Sequence, residues 1–242
     1  MFERNGDYPT AVASYDDEGV DAAITWCRNH LQAGDTLTVW TSLKSNLRNC
    51  RELEQLVNRN SNVEHTTGRA GGPQVRGRGP VLMAWADMDD IGELVRFSGP
   101  RIRALCVITY NEDNLNPWVA AAKPVILGDG TAWENPEPEL EPVLLEALEG
   151  MTKSINHNNT IAARGYEKNT VVSILLALHD AGIPMDGEAM QGWALTHGWS
   201  GKNPQHLRDY VTAINNGKRP RADRMLRSDY IDRLREKVAA GD

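Results

Sequence analysis

Apolar positions in the first half of the chain switch between helical and strand spacing. Residues 19–32 place Val20, Ala23, Ile24, Cys27 and Leu31 on one helical stripe, and Ala33-Gly34-Asp35 breaks it ahead of a strand candidate at 36–41. A second helix is expected over 47–59, with Leu53, Leu56 and Val57 on one face, followed by a short strand at 63–66. Residues 81–86 and 104–109 are unbroken apolar runs, the pattern of strands covered on both faces. Helices are expected over 90–97 and 116–122, and a last strand at 124–127 precedes Gly128-Asp129-Gly130.

Such alternation predicts an α/β fold with a small Rossmann-like, mostly parallel sheet and flanking helices. Residues 131–142 carry three prolines and an acidic run, which reads as a linker. It divides the chain into an α/β domain at 1–130 and a helical domain at 143–242. Beyond it every pattern is helical, over 140–156, 167–181, 186–197, 203–217 and 228–240. Asp186 is placed to cap the third of these and Gly198 to end it, and Pro204 suits the first turn of the fourth.

Composition narrows the class. The chain has 242 residues, 40% of them apolar, with no apolar run near the roughly 20 residues of a membrane span. Three widely spaced cysteines, Cys27, Cys50 and Cys106, suit neither a disulfide framework nor a zinc site. The first twenty residues lack the basic start and apolar stretch of a signal peptide, so the expected location is cytoplasmic, with no membrane partner. The formal net charge of −7 is unevenly spread: residues 1–150 carry −10 and residues 151–242 carry +3. Ten basic residues fall between Lys202 and Lys237. That asymmetry predicts either an anionic partner for the tail or docking of the tail on an acidic surface.

The segment 186–216 resembles the helix-turn-helix of DNA-binding domains, on the strength of Ala194 followed four residues later by Gly198. The position six residues beyond that glycine, apolar in the pattern, is Pro204 here, so the turn 198–202 must be longer and Leu207 must pack instead. What the resemblance implies is a DNA- or RNA-contacting set of Lys202, Asn203, Gln205, His206 and Arg208 at the opening of the second helix, with Lys218, Arg219, Arg221 and Arg224 gripping phosphates. The competing reading is a plain helical bundle with Trp193 and Trp199 in its core and the cations on a solvated face.

Two further clusters bear on chemistry. The loop 68–79 sets Arg69, Arg76 and Arg78 among glycines, a phosphate-binding candidate that lacks the spacing of a nucleotide fingerprint. Acids follow the two apolar strands, Asp87 and Asp89 after one, Glu112 and Asp113 after the other. At the ends of strands in an open sheet these four are a candidate Mg2+ site. A strand followed by Asp-x-Asp resembles the second acidic motif of toprim domains, the metal-binding modules of topoisomerases and primases. Those domains place a glutamate after the first strand, where this chain reads Thr41-Ser42-Leu43-Lys44. The simpler reading of Asp87 and Asp89 is capping of the next helix. No GxSxG or HExxH is present, and Cys106 reads as a buried hydrophobe.

Three functions follow as expectations. The first is a nucleic-acid-associated binding protein working through its helical domain. The second is a magnesium-dependent phosphate-handling enzyme. The third is a protein-interaction component, with a protein partner or self-association and without catalysis.

Overall fold

The computed structural model describes residues 8–68, 75–133, 140–157, 159–223 and 226–241. Six strands, β1 (Thr10–Ser14), β2 (Leu37–Thr41), β3 (Val63–Thr67), β4 (Gly79–Ala84), β5 (Ile102–Thr109) and β6 (Val125–Leu127), form one sheet in the order β3-β2-β4-β5-β1-β6. Every pairing is parallel. The fold is therefore α/β with a Rossmann-like layout, followed by a helical region.

Strand β1 is absent from the expectations above. Its sequence Thr-Ala-Val-Ala-Ser offers one large apolar side chain, too little contrast to register, yet Ala11, Val12 and Ala13 are fully buried between β5 and β6. The run expected at 81–86 begins earlier and ends at Ala84. Trp85 turns into the left-handed region at φ 60°, and its N–H donates to the Ile108 carbonyl (2.7 Å). For a bulky side chain that conformation is strained.

Helices α1 (Asp17–Asn29) and α2 (Arg51–Arg59) cover one face of the sheet, where Val20, Ile24, Cys27, Leu53 and Leu56 meet Leu37, Val39, Leu82 and Ile108. On the other face, α3 (Met88–Ser98), α4 (Asn116–Ala122) and Leu115 just before α4 bring Ile91, Leu94, Leu115 and Trp118 onto Val12, Met83, Leu105 and Val107. All three cysteines are buried free thiols.

The helical region comprises α5 (Pro142–Ser154), α6 (Tyr166–Asp180), α7 (Gly187–Thr196), α8 (Asn203–Asn215) and α9 (Tyr230–Ala240). Its core gathers Leu144, Leu148, Met151, Val171, Leu175, Leu178, Trp199, Leu207 and Val211. Trp199 is fully buried and donates its indole N–H to Thr152 Oγ1 (2.8 Å). His157 lies edge-on to that indole, and its Nε2 is 2.9 Å from the Thr152 carbonyl.

Helix α7 joins the two regions. It lies against α4 so closely that a Cβ on Gly192 would stand 2.2 Å from the Pro117 carbonyl oxygen. Leu195, one turn on, belongs to the core beneath α3 and α4. The turn after α7 is tied down as well, since the Gly201 N–H donates to the Gly92 carbonyl (2.9 Å) on α3. Gly192→Ala is expected to force α7 away from α4 and to destabilise the chain by about 2–4 kcal/mol. Urea unfolding would show it as a lower midpoint or as separate transitions for the two regions.

Candidate functional site

The parallel strands give the sheet two chemically different edges, and the expected site residues divide between them. Arg76 and Arg78 precede β4 and sit at its amino end, whereas Asp87 and Asp89 follow its carboxyl end, with about 17 Å of strand between. Glu112 and Asp113 follow β5 and share the carboxyl edge with Asp87 and Asp89. Arginines and carboxylates therefore do not converge on one phosphate, which is the arrangement the enzyme reading requires. Arg69 and Arg224 lie outside the described residues.

At the carboxyl edge a cleft of about 470 Å³ opens between the sheet and the helical region. Asp87, Asp89, Asp113, Asp186 and Glu188 line it, and Arg208 is the one cation among the lining residues. Local structure explains the clustering. Asp87 is the N-cap of α3 in a capping box with Asp90, accepting from the Asp90 N–H (2.9 Å) while Asp90 accepts from the Asp87 N–H (3.3 Å). Asp186 caps α7, accepting from the N–H groups of Glu188 and Ala189 (2.9 and 3.1 Å). Each helix start favours negative charge, so two N-termini facing one gap collect carboxylates there.

Gln191, fully buried on α7, bridges the charges. Its amide donates to Asp89 Oδ1 (2.7 Å) and its carbonyl accepts from Arg208 (3.0 Å). Arg208 also reaches Asp209 at 3.2 Å and lies 3.8 Å from Asp89 and 3.9 Å from Glu188. One guanidinium does not neutralise the cleft. Burial raises the carboxyl of Asp89 above its ordinary range, against the lowering effect of Gln191 and Arg208. Glu188 is raised likewise by burial. Asp90, behind the cleft wall, is pushed up to about 7 by burial and then by Asp87.

Chemically the cleft presents carboxylate oxygens, and the helix-start N–H groups of Asp90, Glu188 and Ala189 are already taken by Asp87 and Asp186. It is suited to a cation and repels an anion. Among the described residues no group of three or more His, Cys, Asp or Glu side chains is arranged to hold a metal ion. The four acids named for Mg2+ thus do not form such a group, and Glu112 is not in the cleft lining. Asp186 and Glu188, a hundred residues away, complete the lining instead. Only the cap at Asp186 was visible in the sequence.

The opening of α8 departs from what the helix-turn-helix resemblance implies. Asn203 is 5% exposed, with its amide donating to the Asn159 carbonyl (2.8 Å) and accepting from the Ile161 N–H (3.1 Å). Arg208 is engaged by Gln191 and the acids described above. Both are corrected from base-reading to structural positions: Asn203 ties the start of α8 to residues 159–161 within the helical region, and Arg208 is drawn to Gln191 and Asp89 at the cleft. Gln205 and His206 are half-buried, and burial lowers the His206 imidazole. Lys202 is exposed.

Residues 140–235 match a family described as a domain of unknown function (DUF1889), a similarity confined to α5 through most of α9. No curated protein and no solved structure matches the chain.

Because the Asp90 carboxyl is raised from 3.8 in the folded state, the folded chain binds the extra proton between about pH 4 and 7. The stability this group contributes is full below its unfolded value and is lost as pH rises through about 7. Asp90→Asn keeps an acceptor for the Asp87 N–H and removes the charge. It is expected to stabilise the chain at pH 8 by about 1–3 kcal/mol and to leave it near wild type at pH 4, measured by urea unfolding.

Proposed function

We propose that the protein is a nucleic-acid-associated binding protein whose helical region contacts phosphates through the strap that follows α8. The supporting observation is how that strap is held along α6. At one end Arg219 makes a two-pronged pair with Asp180 (2.8 and 2.7 Å) and holds that carboxyl down at about 2. At the other end Asp223 accepts from the Asn169 amide (2.8 Å), and the Ser173 hydroxyl donates to the Asp223 carbonyl (3.0 Å). Lys218 and Arg221, between these anchors, are exposed and have no partner among the described residues. The Arg219 pair is itself in solvent, with side chains 60% and 51% exposed. Such a pair is worth little and yields readily to a phosphate. Three cations on a tethered frame position a backbone without reading sequence, and the two side chains best suited to base edges, Asn203 and Arg208, are engaged elsewhere.

Fluorescence anisotropy with a mixed-sequence duplex tests this. Three phosphate contacts predict a salt slope of about −2.7. Replacing Lys218, Arg219 and Arg221 by glutamine is expected to abolish both the binding and the slope. Unchanged affinity in the triple variant would remove the strap from the mechanism.

The acidic cleft favours a second reading, a protein-interaction component that receives a Lys- or Arg-bearing segment of a partner. Nona-arginine is the probe. Calorimetry should show binding that weakens severalfold in Asp113→Asn, an exposed cleft residue outside the caps, and equal affinity in that variant would exclude the cleft.

A further inference from the structure

The amino edge of the sheet has the opposite character from the cleft. Arg76, Arg78, Arg101 and Arg103 lie at the beginnings of β4 and β5, and the nearby carboxylates Asp35 and Glu64 are already engaged. A cavity of about 390 Å³ opens there, lined by Tyr8, Asn29, His30 and Gln32 on one side and Arg78 and Arg103 on the other.

Both arginines are held in ways that leave their guanidinium groups available. Asp35, with its side chain 4% exposed, takes the Arg103 Nε at 2.9–3.0 Å and also accepts from the Gln32 N–H (3.1 Å). The pairing sets the plane of the Arg103 guanidinium and uses only Nε. Its two Nη groups have no partner among the described residues. Arg78 is fixed through its backbone: its carbonyl accepts from the Thr36 N–H (2.9 Å). The next residue, Gly79, lies so close to Thr36 that a Cβ would stand 2.2 Å from the Thr36 carbonyl oxygen, at a φ of 156°. The Arg78 side chain is exposed.

Across the cavity, His30 Nδ1 lies 2.8 Å from the Trp26 carbonyl, which fixes the ring in the cavity wall. The carbonyl end of α1 would oppose an anion here. The Cys27 and Arg28 carbonyls are capped by the His30 and Leu31 N–H groups, which reduces that opposition.

We propose that this cavity is a binding site for a phosphate monoester carried on a small organic group, with Arg103 and Arg78 as its two guanidinium ligands. Two arginines line the one cavity, one of them braced by a buried carboxylate, and guanidinium forks suit the several oxygens of a dianion better than a monoanion. The volume exceeds what phosphate alone would fill and lies within the ordinary range of small-ligand pockets. The same phosphate at the 5′ end of a nucleic acid is the other source of this chemistry.

The probes are phenyl phosphate, and a ten-nucleotide single strand with and without a 5′ phosphate, each titrated calorimetrically into the full chain at constant ionic strength. Saturable one-to-one binding of phenyl phosphate is expected, weakened at least tenfold in Arg78→Ala. Arg78 is the test residue because its side chain is exposed and its loss leaves no buried group unpaired. Arg103→Gln should weaken binding too, with circular dichroism confirming the fold, since it strands Asp35. Absence of saturable phenyl phosphate binding, or wild-type affinity in Arg78→Ala, overturns the site. Tighter binding of the 5′-phosphorylated strand than of phenyl phosphate, lost in Arg78→Ala, overturns the small-molecule assignment in favour of a nucleic-acid end. Neither result depends on the strap at 218–221.

Discussion

The close approach of α7 to α4 is the contact on which the rest of the molecule depends. At Gly192 the backbone of one helix meets the backbone of the other with no room for a methyl group. That closeness lets Leu195 enter the core above the sheet and lets Gln191 reach Asp89. The first buries apolar surface that neither region covers alone. The second satisfies a partly buried carboxylate that would otherwise be costly to keep charged. The two regions are joined along a shared core, and a cleft exists because α7 stands where it does.

The parallel sheet separates charge by direction. Every strand enters at one edge and leaves at the other, so residues before β4 and β5 gather at one end and residues after them at the opposite end. Arginines collect at the entry and carboxylates at the exit. In open α/β sheets the exit edge is where ligands commonly bind, and helix starts there usually receive phosphates. Here the starts of α1, α3 and α7 are capped by Asp16, Asp87 and Asp186, so the cleft between α3 and α7 favours a cation instead. The open positive charge lies at the entry edge and on the strap along α6.

Most helices, and the strands 102–109 and 79–84, were legible in the sequence because strong periodicity or an unbroken apolar run leaves few alternatives. Strand β1 was not, since its small side chains carry little hydrophobic contrast and its burial comes from the neighbours that enclose it. The candidate sites followed the same rule. The acids after β4 and β5 were visible as local runs, and the strand order then brought Asp87, Asp89 and Asp113 to one cleft. Asp186 and Glu188 joined them from α7, at a sequence distance no local pattern spans. Arg78 was visible among its glycines, whereas Arg103 stands just before the apolar run at 104–109 with no local pattern to mark it, and Asp35, 68 residues earlier, holds it.

The amino-acid sequence by itself determined the class of fold, the positions of most elements other than β1, the caps at Asp87 and Asp186, and the division of charge along the chain. These depend on interactions within a few residues, or on periodicity, which the sequence displays directly. Only the tertiary structure decided which charged groups share a space. Asn203 and Arg208 read as exposed because a helix start in isolation is exposed. Asn203 became structural when the helical region closed on residues 159–161, and Arg208 when that region met the sheet at Asp89, because burial and pairing are set by surfaces brought together from distant parts of the chain.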